Sequence, residues 1–192
     1  MCGVIGVMDS DPVAEPIYQS LIQLQHRGQD AAGMFTYDPV SKESVLHKSR
    51  GLVSQVFNYK TLPLPEATWG IGHVRYQTVG TGALEDTQPL VIGQGPKLAV
   101  AYNGNIVNYH ALRRELENEG HQFHTDADTE VLLLLLHKHI GEGAFSFENL
   151  CSAVREIYRR VVGAYSVAAL LTGYGLFAFR DPSGIRPLLM GT

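Results

Sequence analysis

The stretch Cys2-Gly3-Val4-Ile5-Gly6-Val7-Met8 is apolar with interspersed glycine, the pattern of a buried β-strand. A helical segment follows it, opened by Pro16 in the favoured first turn, running through Leu21, Leu24 and Gln25 to Arg27, and stopped at Gly28. Residues 31–37, 69–76 and 98–107 read as further strands, the last two separated by a Gly- and Thr-rich loop at 78–88. Asn108 is placed to cap a helix through Leu112 and Leu116 that ends at Gly120. Asp126, Asp128 or Thr129 caps a second helix, through Leu132 and His139 to Gly141. Ser146 starts a third, through Leu150, Val154 and Ile157, which ends by Gly163. The tail alternates strand-like runs at 164–171, 176–179 and 187–190. Strands, then helices, then strands again describe an α+β fold with helices layered on antiparallel sheets rather than βαβ repeats.

The chain has 192 residues, of which 45% are hydrophobic and 18% charged, enough apolar surface for one globular core. The longest apolar run, 131–136, is far short of the roughly 18–20 residues a membrane span requires. A net charge of −4, with Lys and Arg scattered apart from Arg155, Arg159 and Arg160 on one helix, argues against a nucleic-acid or anionic-membrane partner. Two cysteines far apart in sequence argue against a disulfide framework and for a reducing, cytoplasmic setting. Cys151, in mid-helix, reads as a core residue. His137 and His139 are spaced two apart, which does not suit metal ligation from one helix face.

Position 2 carries the chemistry to be weighed. Methionine before a small residue is the usual setting for removal of the initiator, which would leave Cys2 as the N-terminus. A free N-terminal cysteine holds a nucleophile and a base in one residue. Its thiol titrates near about 8.5 and its α-amine near about 7.7–8.0, so the amine can take the thiol proton near neutrality. The plainer reading is a small residue packed in a buried strand. Arg75, near the end of an apolar strand in GHVRY (72–76), can clamp a carboxylate with two parallel hydrogen bonds, or form an ordinary ion pair. In YNGN (102–105) the Asn103 amide and the unshielded Gly104 N–H supply the two donors an oxyanion hole needs; an Asn-Gly hairpin turn is the alternative. In DADTE (126–130) Asp128 can accept from a substrate ammonium group or merely cap a helix. LQHRGQDAAG (24–33) by itself says only helix, turn, strand.

Taken together, CGVIGV (2–7), LQHRGQDAAG (24–33), GLVSQVF (51–57), IGHVRYQTVG (71–80), YNGNIVN (102–108), DTEVL (128–132) and FAFRDPSGIRPL (177–188) resemble the glutaminase domain of class II glutamine amidotransferases, members of the N-terminal nucleophile hydrolases. Arg75–Tyr76 and the segment 179–188 favour the branch that opens purine synthesis over the hexosamine-making one. The resemblance implies a four-layer α-β-β-α sandwich of antiparallel sheets. It implies one glutaminase domain over residues 1–192, its last strands and a phosphoribosyltransferase domain lying outside this chain. Cys2 would be the nucleophile and its freed amine the base, with Asn103 and Gly104 as the oxyanion hole. Arg75 would hold the α-carboxylate of L-glutamine and Asp128 its α-ammonium. Arg27 and Gly28 would support the floor of the site, Thr78 would contact the carboxylate, and the loop 77–86 would close over the substrate. No cofactor is implied for this domain, Mg²⁺ belonging to the phosphoribosyltransferase domain, and the full-length protein would form a homo-oligomer.

This chain departs from the family pattern at Tyr102, where a histidine usually precedes the Asn-Gly pair, at Gln77 and Val79 in the loop, and at Ala127 in place of a common serine. Two other readings stay open. One is a binding or regulatory unit, either because a retained Met1 turns the base into an amide or because strands lying outside this chain leave the site unformed. The other is a different amidotransferase branch, making glucosamine phosphate or asparagine.

Overall fold

Two antiparallel sheets of four strands each face one another, as the computed structural model describes them over residues 2–58, 62–76, 83–140 and 145–191. The first sheet is built from β1 (Gly3–Met8), β2 (Ala31–Tyr37), β3 (Ser44–Arg50) and β4 (Trp69–Arg75), in the order β1-β4-β2-β3. The second holds β5 (Leu90–Ile92), β6 (Leu98–Ile106), β7 (Gly163–Leu171) and β8 (Gly175–Arg180), in chain order. Helix α1 (Ala14–Leu24), continued by a 3-10 turn at Gln25–Arg27, and the short α2 (Val53–Val56) pack on the first sheet. Helices α3 (Tyr109–Asn118), α4 (Thr129–Ile140) and α5 (Phe147–Arg160) pack on the second.

Three apolar clusters make the four layers. Ile17 and Leu21 of α1 meet Ala32, Met34 and Val74 beneath them. Leu132, Leu135 and Leu136 of α4 meet Val100, Tyr102 and Val167. Between the sheets lie Phe35, Tyr37, Ile71, Ala99, Ala101, Ala168 and Leu170. The alanines on β6 and β7 leave room for the aromatic rings of β2, so large and small side chains interleave across the interface. Helix α4 is apolar on nearly every side because it lies between the sheet and α5, and each fully buried leucine there contributes about 1.5–3 kcal/mol.

Several elements differ from the reading of the sequence. The strands β3 and β5 were not anticipated: β3 is a polar edge strand, and β5 is three residues long. Residues 187–190 form no strand, and Leu189 and Met190 are 94% and 100% exposed. Asn108 stands at the N-terminus of α3 without capping it. Its amide instead donates to Arg160 O (2.8 Å) and accepts from Val162 N (2.9 Å), tying α3 to the end of α5. Ser146 does cap α5, accepting from Asn149 N at 3.1 Å. Cys151 is half-buried rather than in the core, since α5 turns Leu150, Ala153 and Ile157 inward. Gly141 lies outside the described residues.

Candidate active site

Cys2 immediately precedes β1, an edge strand whose Gly3 pairs with Val74 of β4. Its backbone N lies 3.1 Å from Asn103 Oδ1 on β6, so the site opens where the two sheets meet. The carbonyl of Cys2 accepts from Arg27 Nε at 3.0 Å, and its thiol points at the Tyr76 carbonyl, 3.8 Å away. Burial pushes the thiol pKa up. The Arg75 charge pulls it down, while the Asp128 charge adds to the rise. Arg75 and Asp128 therefore act on the sulfur in opposite senses.

Asn103 and Gly104 sit within β6, in no hairpin turn. In an antiparallel ladder alternate residues point their N–H and C=O groups to opposite edges. Tyr165 of β7, the register partner of Gly104, gives both its backbone groups to Asp181: its N–H to Oδ2 (3.1 Å), its carbonyl to Asp181 N (2.9 Å). Gly104 therefore faces away from β7, on the same edge as Tyr102 N, which donates to Gln88 Oε1 (2.7 Å), and Ile106 N, which donates to Asp128 Oδ2 (3.1 Å). The strand on that edge, β5, reaches only as far as Val100, so no β5 residue lies opposite Gly104, whose N–H points to the edge between the bonds to Gln88 and Asp128. A Cβ at Gly104 would lie 2.5 Å from Ala164 O, so only glycine fits this close approach. Because Asn103 Oδ1 faces Cys2 N, its Nδ2 is the second donor the strand presents.

Asp128 opens α4 and is nearly buried, with Oδ2 accepting from Tyr102 Oη (2.8 Å) as well as Ile106 N. Burial raises its pKa against the pull of those hydrogen bonds. Arg75 closes β4, buried, with Nη2 at 3.7 Å from Asp86 Oδ2. Gly28 packs on the backbone of that strand end, where a Cβ would lie 2.6 Å from the Arg75 carbonyl carbon. Thr78 lies outside the described residues, as does 77–82 of the loop; the loop's far end, Asp86, is buried and pinned.

Sequence reasoning passed over three groups. Gln88 braces Tyr102 N. Asp86 stands beside Arg75. His73 on β4, fully buried, donates from Nε2 to Tyr102 O (3.1 Å) and so links the two sheets one residue before Asn103. Burial holds its pKa down to about 3, which keeps the ring neutral. Of these contacts the His73 bond links the two sheets, and the other two join a loop before β5 to a strand end and a strand edge, so no local pattern announces them.

A cavity of about 390 Å³ reaches Cys2 and Asn103 from the side of α1 and residues 187–189. Arg27 is the one charged residue among its lining residues and no carboxylate lines it, so it offers no anion for an amino-acid ammonium group; Arg75 and Asp128 lie outside it. Among the described residues no cluster of three or more His, Cys, Asp or Glu side chains is placed to hold a metal ion, and no helix is long and apolar enough to cross a membrane.

A cysteine before an edge strand, an Asn-Gly pair on the facing sheet and the four-layer frame define a class. Residues 73–192 match the model of the glutamine amidotransferase domain, and the chain belongs to that family. The similar full-length proteins are amidophosphoribosyltransferases: that of Escherichia coli K12 is 38% identical over 195 residues, and that of Archaeoglobus fulgidus 41% over 194. Each alignment takes in 100% of this chain but only 38% and 41% of the relative, so the chain spans about two-fifths of their length. The glutamine phosphoribosylpyrophosphate amidotransferase of B. subtilis, solved with ADP and GMP, superposes with a TM-score of 0.81 at 33% identity, over 97% of this chain and 38% of that one. A second solved structure, described as the allosteric regulatory enzyme of purine biosynthesis, gives 0.82 at 34% identity, over 97% and 38%.

Proposed function

We propose that this chain is the glutaminase unit of an amidophosphoribosyltransferase, hydrolysing L-glutamine to glutamate and ammonia through a thioester on Cys2. The single observation that carries the reading is the 3.1 Å approach of Cys2 N to Asn103 Oδ1. It sets the future α-amine, the thiol and the amide donors in one place.

Removal of Met1 frees the α-amine, which takes the thiol proton. The thiolate attacks the side-chain amide carbon of glutamine, and the oxygen, now negative, is met by Asn103 Nδ2 and Gly104 N–H. The α-ammonium returns its proton to the leaving nitrogen; the C–N bond breaks, ammonia departs, and a γ-glutamyl thioester remains. The amine then draws a proton from water as it attacks the thioester. Collapse expels the Cys2 thiolate and releases glutamate. Arg75 and Asp128 hold the substrate's α-carboxylate and α-ammonium, Thr78 adds a carboxylate contact, and Arg27 and Gly28 fix the backbone around the nucleophile. The hydrolysis itself uses no cofactor. In the full-length, cytoplasmic, homo-oligomeric enzyme the ammonia passes to a Mg²⁺-dependent phosphoribosyltransferase domain that makes phosphoribosylamine from phosphoribosyl pyrophosphate, the first step of purine synthesis.

The test is glutamate release by protein whose intact mass shows Met1 gone, against Cys2→Ala and against a form with Met1 kept. Activity confined to the processed wild type supports the reading. Equal activity in the Met1-bearing form contradicts it, since a peptide N–H cannot accept the thiol proton.

A further inference from the structure

An α-amino acid is recognised by a cation and an anion held at a fixed separation. Arg75 and Asp128 come from different layers, one closing a strand of the first sheet and the other opening a helix on the second. Asp86 touches both sides of that gap. Its Oδ1 accepts from Asp126 N at 2.9 Å, two residues before Asp128, and its Oδ2 lies 3.7 Å from Arg75 Nη2. Asp86 is 2% exposed, and Oδ2 is buried with no hydrogen bond, an arrangement that the interior does not reward for its own sake.

The segment around it is built to hold it there. Asp86 N donates to Ala83 O (3.2 Å) and Thr87 N to Leu84 O (3.0 Å), closing a turn. Lys48 on β3 reaches over and donates from Nζ to the carbonyls on either side, Glu85 O at 3.2 Å and Thr87 O. From the other direction, Glu130 on α4 accepts from His124 N (2.8 Å), Thr125 N (2.8 Å) and Thr125 Oγ1 (2.7 Å), fixing the turn that Asp86 grips at residue 126.

We propose that Asp86 is a positioning residue for amino-acid recognition, a strut that sets the guanidinium of Arg75 and the Asp126–Asp128 turn at the spacing of an α-carboxylate and an α-ammonium. It rests on the reading of the site as a glutamine site and adds the residue that gives the two charges their separation. Asp86 does not touch substrate; it acts through Arg75 and through the backbone at 126. Lys48 supports it one step further out.

The experiment compares wild type, Asp86→Asn and Lys48→Met in the processed chain. Calorimetric titration measures binding of L-glutamine and of glutaramate, the analogue without the α-amine, and initial rates of glutamate release accompany it. In Asp86→Asn an amide N–H₂ faces the guanidinium, so Kd and KM for L-glutamine rise about tenfold, kcat stays within about twofold, and the preference for L-glutamine over glutaramate falls by a similar factor. Lys48→Met shows the same pattern more weakly, and reads the proposal even if Asp86→Asn does not fold. A drop in thermal midpoint with unchanged glutamine affinity, or an equal weakening of both ligands, overturns it. Wild type that binds glutamine without releasing glutamate refutes the hydrolytic reading while the titrations still decide for or against Asp86. Wild type that binds no glutamine refutes both.

Discussion

Tyr102 and Asp128 meet at 2.8 Å, phenol to carboxylate, with both groups buried and the Ile106 N–H on the same oxygen. The contact joins the strand that carries the proposed oxyanion donors to the helix start that carries the proposed anion of the substrate site.

Removing that hydroxyl gives a pH prediction. Asp128 must be ionised to hold an ammonium group, and burial already raises its pKa. Tyr102→Phe takes away a hydrogen bond that favours the charged form, so the pKa rises further. Binding is lost as pH falls through that pKa, and the acid limb of kcat/KM for glutamine therefore moves to higher pH than in wild type. An unmoved limb would mean that Asp128 does not govern substrate binding.

Asn103→Ala removes a proposed oxyanion donor and the acceptor that faces Cys2 N. The expected loss is on the order of 10²–10³ in kcat, by analogy with other acyl-transfer sites. KM for glutamine should change little, because the charges that bind the head group lie elsewhere. Steady-state rates at saturating glutamine check the point.

Gly104→Ala should fail for a packing reason. The new methyl would sit 2.5 Å from Ala164 O and 2.6 Å from Tyr165 Cβ, so β6 and β7 must part. Overpacking of this kind costs about 1–3 kcal/mol, read as a lowered urea midpoint, and activity falls with the displaced N–H.

His73 makes stability pH-dependent. Its folded pKa near 3 lies below the unfolded value of about 6.5, so between those values the unfolded chain binds the extra proton and stability falls as pH falls. At pH 4.5 the loss from this group is about 2–3 kcal/mol relative to pH 7. Urea unfolding at both pH values, in wild type and in His73→Gln, should show a smaller difference in the variant.

The parts of the fold legible in the sequence were those with local signals. The glycine-spaced apolar run of β1, the Ser146 cap of α5 and the leucine-rich α4 each declare themselves within a few residues. The edge strand β3 did not, because SVLHKSR (44–50) alternates weakly and faces solvent on much of its length. The run at 187–190 misled in the opposite sense: it pairs with no strand among the described residues, and Leu189 and Met190 stand exposed while Leu188 is half-buried. At the site, Cys2, Arg75, Asn103, Gly104 and Asp128 were nameable because short motifs surround them. Asp86, Gln88 and His73 were not, since each acts through a tertiary contact, two from the loop before β5 and one between the sheets.

The most direct test of the central claim is covalent trapping. Processed protein is incubated with a diazoketone analogue of L-glutamine and its peptides are read by mass spectrometry. The account predicts one adduct per chain, on the sulfur of Cys2, suppressed by excess L-glutamine and lost in the Arg75→Ala variant. An adduct on Cys151, or none on folded protein with a free N-terminal cysteine, would contradict it.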